Sequence, residues 1–493
     1  MTATVSEIPF FRVGMRRHAP PTRAIERHYD GLTAFAPLWA IAALFSIAGD
    51  PGSLLVVRGP LFALFGWATV AASVALLLYP RKTWLLVSVA ACATLLYLVR
   101  LPVASNNKTI TTVLNVSILL SCAVAVFRQR HGLIDRGALY QQVRVVARAL
   151  LAVMYFYGIF HKINTDFLDP EVSCAVGLYA PLARPFGLDD NLIGRYLAIY
   201  STFVVEAIAI VCLYWRRYFA LGFITALVFH YIIPISAFSW YMDFSSLVFA
   251  LYALSMPTAA SRTFYETTMR VTDRVRNRFG RVGTLFPAIA AVLGSLVIVS
   301  IAAILAPGRP PMLMIHSMWI LVWAVVGGVM MVLLSYAALV NTPYTGPTPP
   351  RQPLWLFAVP GLFFLTCLSP YLGLKTESSI AMFSNLHTEG GQTNHLMFAR
   401  PPYLFGYQDE VVKIVGSSEP ALMRQSAAGN SHVLFSIRDH LRRNPDAWVS
   451  YERNGRLYER VTSASFPRQP GLIERNLLIF KPVDFRTPKV CTH

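Results

Sequence analysis

Two short stretches of this 493-residue chain put ionisable side chains where the surrounding sequence makes them costly. The denser is Tyr155-Phe-Tyr-Gly158-Ile-Phe-His161-Lys162-Ile-Asn164-Thr-Asp166, in which Lys162 closes an almost unbroken apolar run. A lysine amine accepts a proton only when neutral, and a dry apolar pocket favours that state. A charged His161 would push the same way, whereas Asp166 would hold the amine protonated. The purely structural reading is that Lys162 snorkels to a membrane surface and pairs with Asp166 one helical turn later. The second stretch is Phe229-His230, followed by Pro234 and the aromatic run Phe238-Ser239-Trp240-Tyr241-Met242-Asp243-Phe244. A histidine there either orients a polar ligand or bonds a neighbouring helix. Glu206 reads as a counter-charge or an interhelical hydrogen bond, Arg148 as a snorkelling side chain, and Asp243 as a solvated interfacial carboxylate.

The elements that must position these groups follow from composition. Hydrophobic residues make up 55% of the chain and charged ones 14%, against about 25% charged in a soluble domain. Soluble and disordered classes are excluded, leaving an all-α polytopic membrane bundle. Stretches able to cross about 30 Å of hydrocarbon fall at 31–48, 58–79, 83–100, 109–127, 143–163, 195–215, 217–235, 240–256, 284–306, 315–340 and 354–372, about eleven spans. The pair at 217–256 also admits a single re-entrant excursion, because Pro234 interrupts it. Threaded with the N-terminus inside, the chain leaves twenty basic residues on cytoplasmic connections and six on the opposite ones. This positive-inside asymmetry accounts for much of the net charge of +18 without invoking nucleic acid. Lys162 and His230 then both lie in the outer half of the bundle.

Three segments are expected: 1–30 as a cytoplasmic lead with no signal peptide, 31–372 as the membrane domain, and 373–493 as a small α+β domain on the outer face. In that last segment Asn454-Gly455 between two apolar-alternating runs marks a hairpin, and Ser436–Arg443 marks a short helix ending before Asn444-Pro445. The basic Arg262–Arg281 segment reads as an amphipathic surface helix, and the proline-rich Thr342–Pro353 segment as an extended spacer. Four of six cysteines sit in apolar runs. Only Cys174 and Cys491 lie in polar regions, which leaves room for at most one disulfide. No Walker loop, Rossmann glycine fingerprint, HExxH or GxSxG is present.

The stretch Gly158-Ile-Phe-His161-Lys162-Ile-Asn164-Thr-Asp166-Phe-Leu168 resembles the glycine/apolar/x-lysine-leucine-x-x-aspartate-tryptophan block of the vitamin K-dependent γ-carboxylase-like family, which shares the HTTM (horizontally transferred transmembrane) domain. Phe229-His230 with Phe238-Ser239 resembles that family's later phenylalanine-histidine block. The resemblance implies a lyase-type, membrane-embedded site on the outer or luminal side. Lys162 falls on the family's catalytic base, which deprotonates a reduced quinone. His230 falls on the histidine that orients the quinol oxygen, and His161, Tyr157, Phe229 and Trp240 would contact the cofactor. Implied with them are reduced vitamin K or another membrane quinol, and oxygen and carbon dioxide as co-substrates. Further partners are the lipid bilayer and a peptide or protein glutamate at the outer face. The chain departs from the animal enzymes in having His161 in place of a second lysine and Phe167 in place of tryptophan. Its outer segment of 121 residues is also much the shorter. Beside this quinol-dependent carboxylase or epoxidase stand two non-enzymatic readings of the same architecture: a carrier or lipid-handling protein, and a scaffold whose outer domain binds a partner.

Overall fold

A backbone in hydrocarbon must satisfy its own hydrogen bonds, so each long apolar run folds as a helix. The computed structural model describes residues 30–128, 134–236, 241–279, 285–305, 309–344, 351–467, 469–484 and 491. Eight of the described helices are long and apolar enough to cross a membrane. They correspond to α1 (Gly31–Ala48), α2 (Pro60–Leu78), α3 (Thr83–Arg100), α4 (Asn106–Arg128), α5 (Arg136–Phe160), α8 (Leu192–Cys212), α9 (Phe219–Ser236, with the turn before it) and α13 (Arg309–Val340). Three further apolar helices are shorter: α10 (Met242–Ser255), the 289–302 part of α12 (Leu285–Leu305), and 354–367, which ends in α14 (Ala358–Cys367). The described residues of the 217–256 stretch form two helices. α9 continues through Pro234, and α10 starts anew at Met242.

α1 is apolar on every face and 94% buried, so other helices surround it. α10 packs on it and is itself buried except for Phe244. The outer helices instead expose Leu61, Leu64 and Trp67 on α2, and Ile193, Leu197 and Val204 on α8, as lipid-facing surfaces do. The chain is therefore a multi-helix membrane protein. The basic segment forms α11 (Thr258–Phe279), amphipathic as expected: Phe264, Tyr265, Thr268 and Thr272 are buried, whereas Arg262, Arg270, Arg274 and Arg278 face outward. Residues 345–350 of the expected spacer, and Trp240 with the Phe238-Ser239 pair, lie outside the described residues.

The C-terminal part builds a five-stranded antiparallel sheet of order β4-β3-β1-β2-β5, from β1 (Val411–Ser417), β2 (Asn430–Val433), β3 (Val449–Arg453), β4 (Arg456–Val461) and β5 (Val483–Asp484). Asn454 and Gly455 turn the β3–β4 hairpin at φ 50° and 72°, the left-handed pair a two-residue turn requires. A helix at Leu434–Arg443 lays Leu434, Ile437 and Leu441 against Val412, Ile414, Val449 and Tyr451, so the domain has its own core.

That domain sits on the end of the bundle where α5 stops. Leu396 N–H donates to Ile163 O (2.9 Å), Thr165 N–H to Asn394 O (3.1 Å) and Ile380 N–H to Asn106 Oδ1 (2.7 Å). Cys174 and Cys491 are joined in a disulfide. It ties the chain's far end to α7 (Cys174–Ala183), in the loop that follows α5.

Candidate functional site

α5 ends at Phe160, and the chain then turns through His161 and Lys162, whose N–H groups bond Tyr157 O and Ile159 O. Asn164 caps a separate single turn, α6 (Thr165–Leu168), by accepting from Phe167 N–H, while its Nδ2 donates to His161 O and Ser384 O. This break moves Asp166 off the helical register that a Lys162–Asp166 pair needs. Asp166 accepts instead from Thr165 Oγ1 (2.8 Å) and Asn394 Nδ2 (2.9 Å). Lys162 Nζ donates to Glu206 Oε1 on α8 at 2.5 Å, with both side chains 8% exposed. Gly158 faces the carboxylate, and a Cβ there would stand in ordinary van der Waals contact with Glu206 Oε2, at 3.6 Å. The acid that the sequence left without a partner is the lysine's counter-charge.

Lys162, Glu206 and His230 line one cavity of about 300 Å³. His230 is 3% exposed and its Nε2 lies 3.3 Å from the Tyr155 hydroxyl, which is also hydrogen-bonded to the Tyr252 hydroxyl. The aromatic rings of Phe229 (5.2 Å between centroids) and Phe244 (5.3 Å) meet the His230 ring edge-on. Among the described residues, Glu206 Oε2 and His230 Nδ1 have no hydrogen-bond partner. The cavity is thus an apolar chamber with a few polar groups, the general form of a small-molecule site. α7 supplies another wall through Ala175, Leu178 and Leu182, and Ile380, Met382 and Phe383 from the C-terminal part close the end. Leu182, Ser201 and Ile232 line the chamber and are exposed among the apolar faces of α7, α8 and α9. Its open side therefore faces the apolar surroundings of the bundle.

Helix periodicity decides which expected residues reach it. Tyr155, Gly158 and Lys162 share one stripe of α5 and its continuation, and Phe229 and His230 meet them from α9. Tyr157 and His161 lie on a neighbouring stripe and do not line the chamber. Both are 0% exposed, and the His161 ring packs on Tyr157 and Tyr371, 5.1 and 5.5 Å between centroids. The structure thus does not bring these two of the expected cofactor contacts to the chamber. The expected solvation of Asp243 is corrected too. It is buried beside α4, accepts from Asn107 Nδ2 and pairs with Lys108 Nζ at 3.6 Å, while Lys108 also donates to Ser46 O at 2.6 Å. Tyr252 and the 380–383 closure went unforeseen. A tyrosine in an apolar helix and a serine-rich loop carry no local signal of chemistry.

The geometry defines a class, a polytopic helical membrane protein with a chamber holding a buried lysine–glutamate pair and a histidine–tyrosine pair. The chain matches no protein-family model, no curated protein and no solved structure.

Proposed function

We propose that the chamber is the active site of a membrane enzyme acting on a reduced quinone, with the oxygen-dependent epoxidation chemistry of the vitamin K-dependent γ-carboxylase-like family. The observation that carries this reading is the convergence of Lys162, Glu206, His230 and Tyr155 on one apolar chamber that opens among outward-facing apolar side chains. A lipid-soluble ring can enter such a chamber without crossing water. Phe229, Phe244 and Phe383 would pack on the ring, and His230, backed by Tyr155, would meet a ring oxygen. Lys162 would take the hydroxyl proton. When bound, the quinol supplies, with oxygen, the oxidisable ring and the strong base that in true carboxylases removes a glutamate γ-proton.

The Lys162–Glu206 pair gives the lysine a means of acting as a base. With the shared proton on Nζ the pair is ionised; with a proton on Glu206 Oε2, which has no hydrogen-bond partner among the described residues, the amine is neutral and can turn its single lone pair toward the chamber. A low-dielectric wall lessens the advantage of the ionised form. The reading places the chamber and the C-terminal domain on the outer face. It draws support from the basic asymmetry of the connections and from the Cys174–Cys491 disulfide, which suits an oxidising compartment. A peptide glutamate would then approach past the 380–383 closure.

The test is epoxide formation by the full chain in nanodiscs given reduced vitamin K and oxygen. Lys162→Ala and Lys162→Arg should each lower turnover by about 10²-fold or more, because a guanidinium stays protonated. Full activity of the arginine variant would remove Lys162 from the chemistry. Binding of labelled quinol without turnover by any quinol would favour the carrier reading instead. Bicarbonate and a glutamyl peptide, added to the same assay, separate carboxylation from uncoupled epoxidation.

A further inference from the structure

The end of α5 away from Lys162 carries a second cavity, of about 480 Å³, between the α2–α3 turn and α11. α5 is 25 residues long, so its two ends lie about 35 Å apart along the bundle. The inner walls are mainly apolar, with Leu77, Phe264 and Met269 beside Thr33, Thr268 and Thr272. The rim is basic, with Arg81 and Lys82 both exposed. The turn that presents them is held in place, since Arg136 Nη1 donates to Arg81 O and to Thr83 Oγ1, each at 2.6 Å. Arg136 is itself balanced by Asp30 at 2.9 Å, and Arg81 Nη2 reaches the Tyr265 hydroxyl at 3.4 Å. Asp273 also lines the cavity, which leaves the two rim cations in excess over one carboxylate. The outward arginines of α11 extend the same sign of charge along this end.

We propose that this cavity binds an acidic phospholipid, with the phosphate on Arg81 and Lys82 and an acyl chain running down the exposed Leu78 and Tyr79 into the bilayer. The two chemistries the site offers, a basic rim and an apolar wall continuous with the bundle's outer surface, are those of one amphiphile. A free phosphate would use only the first, and a choline headgroup would add a cation beside two others. Each basic contact near a membrane surface strengthens such binding about 5-fold. The site is independent of the Lys162 chamber.

The experiment is native mass spectrometry of the full chain in mild detergent with equimolar phosphatidylglycerol and phosphatidylcholine of identical acyl chains. The wild type should retain phosphatidylglycerol by about 10-fold or more over phosphatidylcholine, and Arg81→Gln/Lys82→Gln should bring the ratio close to one. Met269→Trp, which fills the cavity and keeps both charges, should lower the ratio as well; Arg274→Gln on the outward face should leave it nearly unchanged. Excess inorganic phosphate should not displace the lipid. Equal retention by the wild type, a preference that survives both cavity variants, or displacement by inorganic phosphate would each overturn the proposal. Should the double variant fail to elute as a folded species, Met269→Trp decides alone.

Discussion

Replacing Glu206 with glutamine should destabilise the bundle through Lys162, and adding Lys162→Met should recover much of the loss. The charges are 2.5 Å apart and both side chains are 8% exposed. At an effective dielectric near 20 that separation corresponds to roughly 7 kcal/mol of attraction. This is an upper bound, because each ion has also given up several kcal/mol of hydration. Removing one partner leaves the other charge buried, at a cost of about 3–5 kcal/mol. The double variant removes both charges, so it should lie within about 2 kcal/mol of the wild type, a coupling of roughly 3 kcal/mol or more. The assay is reversible unfolding in mixed micelles with increasing denaturing detergent, followed by tryptophan fluorescence at neutral pH. Single-variant losses that sum to the double-variant loss within about 0.5 kcal/mol would refute the coupling.

Four further outcomes are expected. Burial alone would raise the Glu389 carboxyl, but the hydrogen bond and charge of His387, with Lys481 and the Thr388 N–H, hold it at about 2 rather than 4.5. Because the folded value is depressed, its contribution of about 3 kcal/mol is present above pH 4.5 and lost as pH falls toward 2. Melting curves should show Glu389→Gln less stable than wild type at neutral pH and converging with it in acid. Cys491→Ser, read out by protease cutting of the C-terminal domain, should cost about 2–5 kcal/mol and expose the 380–383 closure. Gly373→Ala places a Cβ 1.8 Å from Phe405 O at φ +75°, so it should lower the melting temperature more than Gly361→Ala, whose Cβ meets nothing. For sidedness, an impermeant maleimide applied to intact cells should label Arg456→Cys and spare Arg274→Cys; the reverse pattern would invert the proposed orientation.

Legibility in the sequence followed the range of each interaction. Apolar runs specify helices locally, because hydrocarbon leaves the backbone no other partner, so α1 to α5, α8, α9 and α13 were readable from composition alone. The β3–β4 hairpin was equally readable, since Asn454-Gly455 carries its turn geometry in its own backbone. Lys162, Glu206 and His230 stood out because each is an ionisable group in an apolar run. Which of them meet was decided by tertiary structure. The partner of Lys162 lies 44 residues away on α8 rather than four residues on, because Asn164 caps a new turn and breaks the register. The same packing turned Tyr157 and His161 into core aromatics and brought Tyr155 to His230. It also used the chain's last described residue, Cys491, to fasten the wall beside the chamber. Residue type thus fixed where charge is costly, and the crossing of helices fixed which charges neutralise each other, since pairing depends on distances that no single segment contains.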